Sequence, residues 1–392
     1  MKKTEKHIHV VIIGGGPVGL FLAISLLKRG IHCRVLEKRK DPVPDSRSLG
    51  IHPVSLELFD ELGISTPFLE AGLKIKKGIA LTENRKLGEI SFESCPGPHK
   101  YILACPQFTT EKILRNELQK LDSEALITES TFEHFEEKDD EIITTYTNRR
   151  NESVQLTSSF IVGCDGKNSS VRQQASIHYS GKRYSDTYVM GDFEDTTKFG
   201  VDAAVFLAKA GLIECFPLPN GMRRWVIKTD QYIEEPDENL IKKLIQQRIQ
   251  HTLYAAKSTM ISSFGVQHFT AETFVKGRVI LAGDAAHVVS PIGGQGMNLG
   301  WLGAQKISLA LQAIASSSTD QDQVLESLND YNRIQKNISK KVARRAELNM
   351  RLGRKTSVPI LKEIIIRTML SPLFSKKVAR TFTMRGLEND FF

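Results

Sequence analysis

Three short clusters combine glycines and carboxylates at spacings that suit phosphate and sugar chemistry. The first is Gly14-Gly15-Gly16-Pro17-Val18-Gly19, a G-x-G-x-x-G pattern, with Glu37 placed 18 residues beyond Gly19. Gly14 permits a tight turn, Gly16 lets the backbone approach a pyrophosphate, and Gly19 allows close packing of helix on strand. Glu37 is spaced to accept hydrogen bonds from a ribose. The second cluster is Asp165-Gly166, followed by Ser169, Val171 and Arg172. It reads either as part of a site or as a common Asp-Gly turn. The third runs from Gly283-Asp284-Ala285-Ala286-His287 to Pro291-Ile292-Gly293-Gly294-Gln295-Gly296-Met297-Asn298. Asp284 is placed to receive ribose or ribityl hydroxyls. The glycines after it offer a row of backbone N–H groups, a nest that stabilises negative charge on a ring.

Each cluster needs elements to hold it. His9 to Ile13 is a β-branched run that reads as a buried parallel strand. Val18 to Arg29 has helical apolar spacing and stops at Gly30, and Cys33 to Leu36 is a second strand that delivers Glu37. The helix N-terminus then faces the phosphates with free N–H groups. Phe160 begins a strand ending at Asp165. Gly277 to Ala282 is another, and the third cluster opens a helix running to about Ala315. Together these features specify an adenine-dinucleotide site; the first motif alone does not separate NAD from FAD.

The three motifs, in this order, resemble the FAD-dependent aromatic monooxygenases of the para-hydroxybenzoate hydroxylase type. That superfamily includes ubiquinone-pathway, kynurenine, polyketide and tetracycline hydroxylases. The resemblance covers residues 8 to 320, and the G-D-A-A-H…P-x-G-G-Q-G-x-N block is its most specific part. One departure is Gly303, where an acidic residue commonly follows the block.

The resemblance implies an α/β fold: a Rossmann-like FAD-binding domain, an inserted and mostly antiparallel β-sheet substrate domain, and a C-terminal helical region. The expected boundaries are 1–73, 104–175 and 266–340 for the FAD-binding domain, 74–103 and 176–265 for the substrate domain, and 341–392 for the basic tail. Gly14, Gly16, Gly19 and Glu37, with adjacent Pro17, Val18 and Lys38, would hold the ADP half of FAD. Arg47 matches a family arginine near the cofactor. Gln107 stands where a Gln or Arg touches FAD. Asp165 and Gly166 match a D-G motif linked to FAD and NAD(P)H. Asp284 would bind ribityl or ribose hydroxyls. Gly294, Gln295, Gly296, Met297 and Asn298 would contact the flavin ring, with Pro291 near the face where oxygen reacts. No metal is implied.

The implied reaction is NAD(P)H-dependent hydroxylation of an aromatic, phenolic or quinone-like substrate. NAD(P)H reduces FAD, O2 adds to the reduced flavin, and the C4a-hydroperoxide transfers one oxygen. No second dinucleotide fingerprint is visible, so the nicotinamide cofactor is expected to bind transiently. No general base is assignable, and His287 is expected to be structural. Two enzyme alternatives share the motifs: a halogenase, for which no W-x-W-x-I-P is found, and an FAD-linked reductase. A flavin-binding peripheral membrane protein is the non-enzymatic alternative.

Residues 176–265 differ in texture, with short β-rich runs such as Ala204–Leu207, Leu212–Phe216 and Arg224–Ile227. Phe206, Phe216 and Trp225 are candidates for the wall of an apolar pocket or for plain sheet core. Segment 74–103 is expected to add strands to the same sheet.

The chain has 392 residues and a formal charge of +8, with 41% hydrophobic and 25% charged residues. That composition suits a folded globular chain and excludes disorder. The charge is not evenly spread. From Lys340 to Phe392 there are 13 Lys and Arg against four Asp and Glu, so this stretch carries +9 and the remainder −1. Within it, Ile360, Leu361, Ile364, Ile365 and Leu370 alternate with Lys362, Arg367, Lys376 and Lys377. A basic amphipathic helix of this kind suits an anionic membrane surface, and the competing expectation is a helix docked on the FAD domain. No base-reading motif is present, so nucleic acid is not expected as a partner. Five scattered cysteines, without a C-x-x-C, fit reduced thiols in the cytoplasm, at most peripheral at the inner face of the membrane. The absence of a redox-active pair also argues against a disulfide reductase. The apolar run after Lys2, Lys3 and Lys6 is broken by Gly14–Pro17 and reads as strand–turn–helix rather than a secretory leader.

Overall fold

A computed structural model describes residues 9–43, 48–253, 258–316, 321–355 and 359–387. The strand Val10–Ile13 lies at the centre of a six-stranded sheet, parallel to Cys33–Glu37 on one side and to Phe160–Gly163 on the other. Leu126–Thr128 and Val279–Leu281 extend it in parallel, and Val275–Lys276 closes one edge antiparallel. Val10, Val11 and Ile12 have no solvent exposure, as a sheet covered on both faces requires. The register pairs Ile13 with both Leu36 and Gly163, and Gly163 with Leu281. All three motif loops therefore leave the sheet at one edge, beyond the carboxyl ends of the strands.

The helix Pro17–Lys28 packs against Gly296–Ser316, the helix that follows the third motif. Trp301 joins them, with its indole N–H donating to the carbonyl of Pro17 at 3.0 Å and its ring edge-on to Phe59. A side chain at Gly303 would meet the amide of Gln335. Gln335 belongs to the long helix Gln321–Gly353 and donates to the Leu299 carbonyl at 2.9 Å.

The second sheet has eight strands, in the spatial order His287–Val288, Met260–Ala271, Tyr179–Glu194, Met222–Thr229, Gly211–Pro217, Ala203–Ala208, Lys77–Leu81 and Lys86–Ser91. All neighbours are antiparallel except Ala203–Ala208 with Lys77–Leu81. One face is sealed by the helix Glu238–Ile249, which buries Ile241, Ile245 and Ile249 at a four-residue spacing. Asp237 caps that helix by accepting the Leu240 N–H at 2.8 Å, worth about 1 kcal/mol. The opposite face is left free to wall a cavity. The strand Met260–Ala271 runs unbroken across residues 265/266, and the helix Gln321–Gly353 across 340/341.

The pleat decides which aromatic residues reach that cavity. Phe216 faces it. Phe206 and Trp225 point to the other side, into a core with Ile213, Ile227 and Ile241. Successive residues on a strand face opposite ways, so three aromatics on adjacent strands need not share a face.

The tail forms two helices, Pro359–Met369 and Ser375–Phe382. They rest mainly on the outer strand Lys86–Ser91 of the large sheet, not on the six-stranded one. Leu370, Val378, Ala379 and Phe382 pack with Ile90, Phe92 and Cys95. Arg385 then reaches Glu57 at 2.6 Å, and Arg85 pairs with Glu363. No helix among the described residues is long and apolar enough to cross a membrane.

Candidate functional site

One cavity of about 960 Å³ begins at the glycine turn and ends on the free face of the large sheet. Gly14, Gly15, Gly16, Pro17 and Val18 form its first wall. Gly14 has φ +106°, and a Cβ there would lie 2.5 Å from the Cys164 carbonyl oxygen. Only glycine takes that backbone shape without strain. Gly16 is the reverse case: a Cβ there would meet no protein atom within 4 Å, because its open side faces the cavity. The helix that starts at Pro17 has no side-chain cap, so its first N–H groups point into free space. Gly19 does not line the cavity. It packs beneath the turn, where a Cβ would meet the Gly14 carbonyl oxygen.

Glu37 and Lys38 follow at the end of the second strand. One Glu37 oxygen accepts the Gly15 N–H at 2.7 Å and the other the Arg39 N–H at 2.9 Å. The carboxylate thus fastens the glycine turn to the neighbouring strand, and each oxygen keeps a lone pair for a ligand. Gln107 lines the cavity at the start of the helix Gln107–Leu121 and donates to Glu111 at 2.8 Å. Arg47 lies outside the described residues.

Asp165 divides its two oxygens. Oδ2 accepts the N–H groups of Ser170 and Val171, at 2.7 and 3.2 Å, and so anchors the helix Ser170–Gln174. Oδ1 is buried without a partner. Gly166 turns the chain beside it with φ +82°. Asp284 is open to the cavity interior while protein encloses it on the other sides, and this desolvation pushes its carboxyl up to about 6. Its side chain has no hydrogen-bond partner among the described residues.

Pro291, Gly294, Gly296 and Met297 line the middle of the cavity with Ile292 and Gly293. Gln295 and Asn298 do not. Gln295 is buried and directed to the Thr381 carbonyl at 3.5 Å. Asn298 braces the loops: Oδ1 accepts the His52 N–H, and Nδ2 donates to the carbonyls of Gly50 and Gly294. His52, for which the sequence offered no role, lines the cavity beside Gly294. Burial pushes its ring down to about 4, as it does that of His287, so both are neutral at pH 7. His287 faces Phe274 and Gln335 rather than the cavity.

The far end is apolar. Met190, Val205, Leu207, Leu212, Phe216, Val226 and Phe264 wall it from the sheet, and Ile366, Met369, Leu370, Val378 and Phe382 close it from the tail. Sequence reasoning missed the tail's share, although the tail's amphipathic spacing carried the signal. It also missed Glu214, Asp192 and Arg224. Glu214 and Arg224 line this end of the cavity, and their signal lay in the alternation Leu212-Glu214-Phe216 against Ile213-Cys215.

The site fits an extended FAD. The turn leaves room at Gly16, a helix N-terminus faces that space, and Asp165 Oδ1 and the Asp284 carboxylate await partners. A cradle with unpaired acceptors suits a ligand rich in hydroxyls and phosphate.

Comparison with known proteins agrees. A family model described as FAD binding domain matches residues 7–346. An uncharacterized aromatic compound monooxygenase of Bacillus subtilis is 33% identical over 317 residues, covering 79% of this chain and 62% of the relative. Rifampicin monooxygenase of Streptomyces venezuelae is 30% identical over 298 residues, covering 74% and 61%. This chain thus spans less than two thirds of the length of either. The solved p-nitrophenol 4-monooxygenase of Pseudomonas putida shares the fold, with a TM-score of 0.85 at 21% identity, over 96% of this chain and 97% of that one.

Proposed function

This chain belongs to the FAD-binding-domain family of flavin-dependent aromatic monooxygenases, and from that premise we propose that it inserts one oxygen atom of O2 into an aromatic, phenolic or quinone-like substrate at the expense of NAD(P)H. The observation that carries this reading is the single cavity joining the glycine turn, the Asp284 loop and the apolar face of the large sheet. A cofactor site and a substrate wall share one space, as oxygen transfer between them requires.

The residues divide the work. The N–H groups of Gly16 and Val18 would hold the pyrophosphate, and Glu37 with Lys38 the adenosine ribose. Asp284 would take hydroxyls nearer the ring, and Gly293, Gly294, Gly296 and Met297 would lie along the ring itself. When bound, FAD supplies the redox chemistry, taking two electrons from NAD(P)H and passing one oxygen of O2 to the substrate, the other leaving as water. The protein's own task is orientation and exclusion of water. Phe216 and Phe264 from the sheet, with Met369 and Phe382 from the tail, provide the dry wall. The relatives' named activities, on aromatic compounds, rifampicin and pentachlorophenol, support an apolar aromatic substrate.

The test is direct. The purified protein should carry FAD, oxidise NAD(P)H faster when a suitable phenol is added, and yield a ring-hydroxylated product. A reduced double bond or a halogenated ring in the product would point to the reductase or halogenase alternative, and absence of FAD would sink the proposal. A second proposal concerns the tail. Its exposed Ile360, Ile364 and Leu373, beside exposed Lys376, Lys377 and Arg380, suit peripheral contact with an anionic membrane at the cytoplasmic face.

A further inference from the structure

The strand Gly211–Pro217 turns Leu212, Glu214 and Phe216 toward the cavity. Cross-strand pairing places Glu214 between two valines, Val205 on one side and Val226 on the other. The same row continues to Met190 beyond Val226 and to Ala80 beyond Val205. All of these residues line the cavity, so one carboxyl stands in the middle of an apolar row.

Nothing among the described residues compensates it. Glu214 has no hydrogen-bond or ion-pair partner among the described residues. The guanidinium of Arg224 lies one row along, opposite Phe216. It is already engaged by Asp192 through two bonds of 2.7 and 2.8 Å. The buried Tyr188 hydroxyl, also without a partner, feels the Glu214 charge. Desolvation pushes the Glu214 carboxyl up to about 7.

We propose that Glu214 anchors a basic nitrogen carried by an otherwise apolar aromatic substrate. An ionised carboxylate in an apolar pocket is costly, and a cation beside it removes most of that cost. A neutral substrate leaves Glu214 protonated and unpaired. A carboxylate-bearing one meets a like charge, with Arg224 already neutralised. The pocket therefore ranks substrates cation over neutral over anion. This assignment rests on the reading of the sheet-walled end as the substrate site.

Three phenols of similar size test it: tyramine, 4-propylphenol and 4-hydroxyphenylacetate. Each is titrated into the FAD-loaded protein by calorimetry at pH 7. Tyramine should bind about tenfold more tightly than 4-propylphenol, and 4-hydroxyphenylacetate least. In Glu214→Gln, tyramine and 4-propylphenol should come within about twofold of each other. Equal binding of the first two by the unaltered protein, binding of neither, or a preference that survives in Glu214→Gln overturns the assignment. FAD content and NAD(P)H oxidation are read on the same preparations. A protein that carries FAD and hydroxylates 4-propylphenol without preferring tyramine refutes this inference alone. One that holds FAD but never oxidises NAD(P)H refutes the monooxygenase reading, while the binding order still decides this one.

Discussion

Asn298 Oδ1 accepts the backbone N–H of His52 at 2.8 Å, across 246 residues of sequence. The same side chain donates to Gly50 and Gly294, at 2.9 and 3.0 Å. One buried amide thus holds the loop before the helix Pro53–Glu61 against the glycine loop that lines the cavity. Replacing Asn298 with Ala leaves a buried N–H and two carbonyls without partners, at about 1–3 kcal/mol for each group stranded away from water. Asn298→Ala should lower the melting temperature and weaken FAD retention together. Unchanged melting would show that the clamp is not structural.

Gly14 and Gly16 should respond differently to the same substitution. Gly14→Ala drives a methyl group into the Cys164 carbonyl at a positive φ, so the apoprotein itself should be destabilised. Gly16→Ala meets no protein atom, so the apoprotein should melt as before while FAD binds more weakly. Thermal melts of stripped protein, followed by FAD titration, separate the two. Equal apoprotein destabilisation by both would refute the assignment of the Gly16 opening to the pyrophosphate.

Asp284 makes a pH prediction for the apoprotein. Its carboxyl is raised from an ordinary value near 3.8 to about 6 in the folded state. The folded form therefore holds the proton more tightly than the unfolded form. The resulting destabilisation is absent below the unfolded value, grows as pH rises between the two, and is complete above about 6. Asp284→Asn should raise the apoprotein melting temperature at pH 8 and leave it unaltered at pH 4. FAD affinity should fall in the same variant. A gain in stability confined to low pH would reverse the argument.

The tail yields two readouts. Phe382 closes the cavity from the side of Ile90 and Phe92, so Phe382→Ala should admit water. The share of NAD(P)H oxidation that ends as H2O2 should then rise by roughly twofold or more. Separately, the full-length protein should sediment with anionic vesicles. The double variant Ile360→Ser, Leu373→Ser should do so less, because both side chains are exposed. No sedimentation by the unaltered protein would leave the tail as a cavity wall alone.

The local parts of this molecule were legible in its residues. Val10–Ile13, Gly14, Gly16 and Pro17 form a strand, a turn and a helix start within a few residues of one another, and short-range backbone preferences decide that geometry. Glu37 and Asp165 likewise stand at strand ends that hydrophobic runs announce. Gln295 and Asn298 show the limit. They belong to the same motif as Gly294 and Met297, yet they turn inward to brace loops, because helix phase and distant carbonyls decide their direction.

The amino-acid sequence by itself determined the dinucleotide turn, the carboxylates beside it and the concentration of basic charge in the last stretch, since each follows from spacing along the chain. Tertiary structure alone decided that Phe216 faces the cavity while Phe206 and Trp225 face the helix Glu238–Ile249. It also decided that the tail lies on Ile90 and Phe92, and that Glu214 stands between Val205 and Val226 with no partner among the described residues. The reason is that strand register and helix docking depend on contacts between segments far apart in sequence, and a shift of one residue in register exchanges the two faces of a strand.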